Sequence, residues 1–156
     1  MLFHNQSQFE ALLQTQIPIA WMAGVRFESL GERLAQTYVR YEPINQNPFG
    51  SMFWAVQGMA AEFAGGMLLL RHIAETGYGV STLVVKQESR FFKKALGKTV
   101  FSCSDVEPIA EALQNALKGP SASVVLNSVA TNEAGETVAD FAFTWSLKLR
   151  NAPTGL

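Results

Sequence analysis

The chain has 156 residues, 48% hydrophobic and 16% charged, enough for one well-packed domain and too few for two, and not the composition of a disordered chain. Its formal net charge of −1 excludes a global basic field for nucleic acid, and its single cysteine, Cys103, excludes an internal disulfide or a zinc site built on clustered thiolates. We expect a soluble cytoplasmic protein, since one cysteine fits a reducing compartment and "MLFHNQSQFEALL" lacks the basic start and apolar run of a signal peptide.

Residues 1–20 read as an N-terminal helical segment. "SQFEALL" opens with a capping-box pattern, Ser7 and Glu10, and puts Phe9, Leu12 and Leu13 on one face before Pro18 stops it. A short strand follows around Val25–Ser29, and "RLAQTYVRYEP" reads as a second strand ending at Pro43.

The polar loop "EPINQNPFG" then leads into a long apolar helix that ends before "TGYG". The run from Ser51 to Leu70 has the length of a membrane span. Gln57 and Glu62 near its middle favour a buried helix instead, because an ionisable group at the bilayer centre is expensive. At 100° per residue, Ser51, Ala55, Gly58, Glu62 and Gly66 form one stripe in which only Glu62 is not small. Each interior glycine costs about 1 kcal/mol against alanine. The compensation must come from close approach of a sheet, a partner chain or a ligand.

Glu62 is the first candidate site residue. A carboxylate in apolar surroundings has a raised pKa and suits general-base chemistry, unless it is exposed or ion-paired with Arg71 or another base. The helix entrance "NPFGS" is the second. It leaves backbone N–H groups around Gly50 and Ser51 at the positive end of the dipole, with Asn47 or Ser51 as the cap. Such an end can stabilise a carbonyl oxygen that becomes negative.

Beyond the helix, "VSTLVVKQESRFF" and "GKTVFSCSDV" read as strands and "EPIAEALQNALKG" as a helix stopped by Gly119. "SASVVLNSVAT" and "ETVADFAFTWSLKLR" read as a hairpin about "NEAG". In the last strand Ala139, Phe141, Phe143, Trp145, Leu147 and Leu149 alternate with polar residues, which demands a sheet with one packed face. The inventory is an α+β domain of about six strands, mostly in hairpin-like succession and so antiparallel, with the long helix between the second and third as its cover. Arg90, Lys93, Lys94 and Lys98 make a small cationic patch. "ALGKT" is no phosphate loop, since Phe92 stands where the first glycine belongs, and Cys103 on its alternating strand reads as core.

The glycine-interrupted helix entered through "NPFGSMF", followed by "VSTLVVKQESRFFKKALGKTVFSC", a helix and two long strands, resembles the hotdog-fold acyl-CoA thioesterases. The likeness is nearest to the phenylacetyl-CoA-thioesterase-like branch and spans roughly Val25 to Leu149. It implies a hotdog fold, an antiparallel sheet wrapped around a long central helix, pairing as a homodimer and often as a tetramer. It also implies no cofactor beyond coenzyme A as part of the substrate, an acyl-CoA or acyl-carrier thioester. By the resemblance, Glu62 activates water or attacks the thioester, and Gly50 and Ser51 polarise its carbonyl. Asn47, Gln57 and Gly58 then line the substrate, with Gln57 orienting water or satisfying backbone, and Lys93 and Lys94 meet the phosphates of coenzyme A. Aligning "FGS" with the family's His-Gly-Gly entry puts Phe49 in place of the histidine and the family's acid on Gly58, one turn before Glu62. Ala95 stands where the family commonly has proline. The alternatives are a hydroxyacyl-thioester dehydratase, which would want an Asp/His pair, and a non-catalytic acyl-thioester or lipid-binding module.

Overall fold

The computed structural model describes residues 5–151; the first four residues of the expected N-terminal helical segment lie outside them. Helices α1 (Gln6–Gln16) and α2 (Pro18–Met22) precede strands β1 (Arg26–Leu30) and β2 (Ala35–Arg40). A 3-10 turn (Pro43–Asn45) leads to helix α3 (Trp54–Thr76), followed by β3 (Gly79–Phe91) and β4 (Lys98–Cys103). Helix α4 (Val106–Lys118) and strands β5 (Ala122–Thr131) and β6 (Thr137–Asn151) complete the order. All pairings are antiparallel in one six-stranded sheet, β1-β2-β4-β5-β6-β3. No helix among the described residues is long and apolar enough to cross a membrane.

Two expectations change. Hairpin-like succession fails at β3, which pairs with β6 rather than with β2 or β4. Helix α3 spans the sheet and delivers the chain to its far edge, so the strand that follows lands on the last strand. At the N-terminus the cap is Asn5, whose side chain accepts from Gln8 N, rather than the Ser7 box.

The core follows from the alternation of β6. Ala139, Phe141, Phe143, Trp145 and Leu147 are buried facing α3, while alternate residues face outward. Val124, Leu126, Ser128 and Ala130 of β5 continue that layer, with Phe101 and Cys103 of β4. Burial pushes the Cys103 thiol up to about 11, the behaviour of a core residue rather than a nucleophile. Two strand hydroxyls anchor the helix: Thr37 Oγ1 donates to Ala60 O and Ser128 Oγ to Ala61 O, both at 2.7 Å. The β5–β6 turn is the predicted one, with Gly135 at φ 77° and Asn132 Oδ1 accepting from Ala134 N and Glu136 N.

Candidate active site at the entrance and small-residue stripe of the central helix

Helix α3 starts later than the turn residues suggest. The segment Asn47–Phe53 is a tied knot: Asn47 N donates to Ser51 O (2.8 Å), and Asn47 Oδ1 accepts from Phe49 N (2.9 Å) and Ser51 N (3.3 Å). Gly50 N donates to Asn47 O, Met52 N to Ala95 O on the β3–β4 loop, and Phe53 N to Asn45 O. The N–H groups of Gly50 and Ser51, expected to be free, are therefore taken by this turn. Phe53, with ψ 133°, is the residue before the first helical position and offers no side-chain cap. Val56 N and Gln57 N both turn back to Phe53 O. The donors left without a partner among the described residues are Trp54 N–H and Ala55 N–H. The positive end of the dipole is intact, but it is presented four residues later than Gly50 and Ser51.

A cleft of about 480 Å³ opens at this entrance between the knot and the β3–β4 loop. It brings together Asn47, Ser51, Gln57, Lys93 and Lys94, five residues that sequence reasoning named, under an aromatic wall that includes Phe53, Trp54 and Phe91. Gln57 is only 4% exposed; its Nε2 donates to Met52 O (3.3 Å), and its Oε1 is buried without a partner. Gly50, Gly58 and Glu62 are not in this cleft. Lys93 and Lys94 are not free cations: Lys93 is ion-paired with Glu136, and Lys94 donates to Phe49 O at 2.6 Å. Arg90 pairs with Asp140 and Lys98 with Glu28, so every base of the predicted patch is engaged.

Glu62 lies two turns into the helix, on the stripe it shares with Gly58 and Gly66. It is half-buried and has no hydrogen bond or ion pair among the described residues. Arg71, the partner considered for it, pairs with Glu75 at 3.3 Å. Burial among apolar groups holds its carboxyl above the usual carboxylate range.

The glycines around it have different reasons. A Cβ on Gly65 would stand 3.4 Å from Leu126 Cβ, so that glycine serves the close approach of helix to sheet. A Cβ on Gly58 would meet only Phe141 Cε1, at 3.9 Å, and one on Gly66 would meet Trp145 at 3.6 Å. Packing of the chain's own core therefore does not demand glycine at position 58. Since Gly58 faces Phe141 and Gly66 faces Trp145, Glu62 sits on the stripe between them. Phe91, from the cleft, packs edge-on to Phe141 (5.6 Å), and Phe141 stacks with Phe143 (6.3 Å), so an aromatic wall runs from the cleft toward Glu62. The free donors at Trp54 and Ala55 carry no sequence signal, because Phe53 is not a recognisable cap.

No family model matches the chain and no curated protein matches its sequence. Solved structures do. A protein of unknown function from Pseudomonas aeruginosa, described as a probable thioesterase, is 24% identical over 94% of this chain and 97% of its own, with a TM-score of 0.80. A protein of unknown function from Chlorobaculum tepidum is 18% identical over 94% of each chain, with a TM-score of 0.79. A thioesterase from Haemophilus influenzae is 13% identical over 99% of this chain and 97% of its own, with a TM-score of 0.72. At these identities the likeness establishes the fold, and the chain has the hotdog fold that its helix and strands resemble.

Proposed function

We propose that the protein hydrolyses an acyl thioester, of coenzyme A or a related carrier, at a site shared between two copies of the chain. The observation that carries this reading is Glu62: a half-buried carboxylate with a raised pKa and no hydrogen bond or ion pair among the described residues, on the small-residue stripe of the helix. Water attacks the thioester carbonyl carbon while Glu62 takes its proton. Trp54 N–H and Ala55 N–H hold the oxyanion, the C–S bond breaks, and the proton passes from Glu62 to the departing sulfur, leaving acid and thiol. The aromatic wall favours an aliphatic or aromatic acyl group over a small polar one. That Glu62 has no ion pair among the described residues argues against a mere binding module. A dehydratase is disfavoured because Phe49 and Phe53, not histidine, stand at the entrance.

Geometry favours two copies. Seven residues separate Ala55 from Glu62, about 10 Å along the helix axis, and the free N–H groups point away from Glu62. An oxygen they hold lies about 3 Å further out, beyond what one water can span from the same chain's carboxylate. A second copy is favoured at β3, a 13-residue edge strand on which Leu83 is 65% and Val85 56% exposed. An edge of that length with apolar groups is a template for another strand. The opposite edge, β1, has five residues and a bulge. Wild type is expected to elute at twice its 17.1 kDa in size-exclusion chromatography with light scattering, and the double variant Leu83→Asp/Val85→Asp as an inactive monomer. A folded, monomeric and fully active variant would remove the shared site.

Gly58 gives a second check. Gly58→Ala adds a methyl group at ordinary contact distance and should stabilise the helix by about 1 kcal/mol, raising Tm by a few degrees. The same methyl narrows the stripe leading to Glu62 and is expected to raise KM. A more stable variant with unchanged KM would show that the stripe carries no substrate.

A further inference from the structure

The patch expected to meet phosphate, Lys93 and Lys94, is spent on Glu136 and the Phe49 carbonyl. A different cationic group keeps guanidinium donors with no carboxylate partner among the described residues. On the outward face of β1 and β2, Arg26 pairs in register with Tyr38, and Arg40 follows two residues on, so all three side chains project from one side of the sheet. Together with Gly24 and Glu42 they line a cavity of about 120 Å³, the share of about four liquid waters at ~30 Å³ each.

Its donors are poorly used. The Arg40 guanidinium has no carboxylate partner among the described residues; it lies 5.9 Å from the Tyr38 ring. The Tyr38 hydroxyl has no hydrogen bond among them. Arg26 Nη1 donates to Trp21 O (2.9 Å) and Val25 O (2.8 Å), and its guanidinium stacks 3.5 Å over the Trp21 ring, which fixes its plane while leaving its remaining donors. Lys98 is neutralised by Glu28, so the lining carries two guanidinium charges against the single carboxylate of Glu42. Two guanidinium groups, one of them held in plane by Trp21, beside a hydroxyl donor suit an oxyanion with several acceptor oxygens, such as phosphate.

The cavity is tied to the helix entrance through Asn45. Its Nδ2 donates to Ala23 O and Arg40 O, its Oδ1 accepts from Glu42 N, and its carbonyl accepts from Phe53 N, the residue before α3. One asparagine thus holds both the rim of the cationic cavity and the start of the helix.

We propose that Arg26, Tyr38 and Arg40 form a phosphate-binding site, and that the phosphate is one borne by the thiol carrier of the substrate. The second half rests on the thioesterase reading; the first does not. Isothermal titration of wild type and Arg40→Ala, without turnover, with inorganic phosphate, coenzyme A, its analogue lacking the 3′-phosphate, and pantetheine tests both halves. Inorganic phosphate should bind wild type and not Arg40→Ala. Coenzyme A should bind about tenfold more tightly than the analogue, the size of one charge-assisted contact, and Arg40→Ala should abolish that difference while leaving pantetheine unchanged. Glu42→Gln, which removes the opposing charge, should tighten phosphate binding. If phosphate binding depends on Arg40 but coenzyme A and its analogue bind alike, the site stands and its ligand is free phosphate, not the carrier. Phosphate binding that is absent, or equal in a folded Arg40→Ala chain, overturns the site whatever the hydrolase assays give.

Discussion

Replacing Glu62 by glutamine is expected to lower kcat for acyl-thioester hydrolysis by about 10²–10⁴-fold, the range general-base catalysis supplies, with the fold retained. The acid limb of the wild-type pH–rate profile should lie above the usual carboxylate range, because burial raises the Glu62 pKa, and should vanish in the variant. Stability gives an independent reading of the same residue. A raised pKa means the folded chain still holds a proton at pH values where the unfolded chain has released it. Folding is therefore most favoured below the ordinary carboxylate range and loses that contribution as pH rises through the raised value. Glu62→Gln should melt higher than wild type at neutral pH. A carboxylate kept for packing or solubility would not couple a gain in Tm to a loss of kcat. Retained turnover in the glutamine variant sinks the role assigned to Glu62.

The second large effect concerns a backbone atom. Trp54 is the first helical residue, and its N–H has no partner among the described residues. Proline is favoured at that position, since its missing N–H costs the helix nothing. It also asks the preceding residue for an extended conformation, which Phe53 already has at φ −62° and ψ 133°. Trp54→Pro should therefore fold with Tm near wild type while deleting one oxyanion donor, for a loss of about 10²–10³-fold in kcat. Trp54→Ala, which removes the indole and keeps the N–H, separates the two contributions and should retain most of kcat. Equal losses in the two variants would assign the effect to the side chain and leave the helix entrance without a catalytic part.

Local pattern carried most of the fold. The alternation of β6 and the Asn-Glu-Ala-Gly turn need no distant partner, so period and turn chemistry sufficed. The position of β3 did not follow, because pairing with β6 is decided by where the crossing helix delivers the chain. Glu62 was legible as a lone acid in an apolar helix, and that it has no partner among the described residues depended on Arg71 choosing Glu75. The helix start was misplaced because Pro48 and Gly50 look like its punctuation. In fact those residues close a knot whose last ties run to Asn45 and to Ala95 on another loop. The partners of the lysine patch were not legible for a similar reason: Glu136, which pairs with Lys93, is 43 residues away. Tyr38 and Arg40 share a face by simple alternation, but their meeting with Arg26 needs the β1–β2 register.

Mixing the two crippled chains tests the shared site most directly. A dimer of one Glu62→Gln chain and one Trp54→Pro chain contains one site with both parts intact and one with neither, if the acid and the oxyanion donors come from different copies. After unfolding and refolding together in equal amounts, half of the dimers are mixed, and activity should return to about one quarter of wild type, far above either variant alone. Activity that stays at the mean of the two variants would mean that each chain completes its own site, contrary to the account given above.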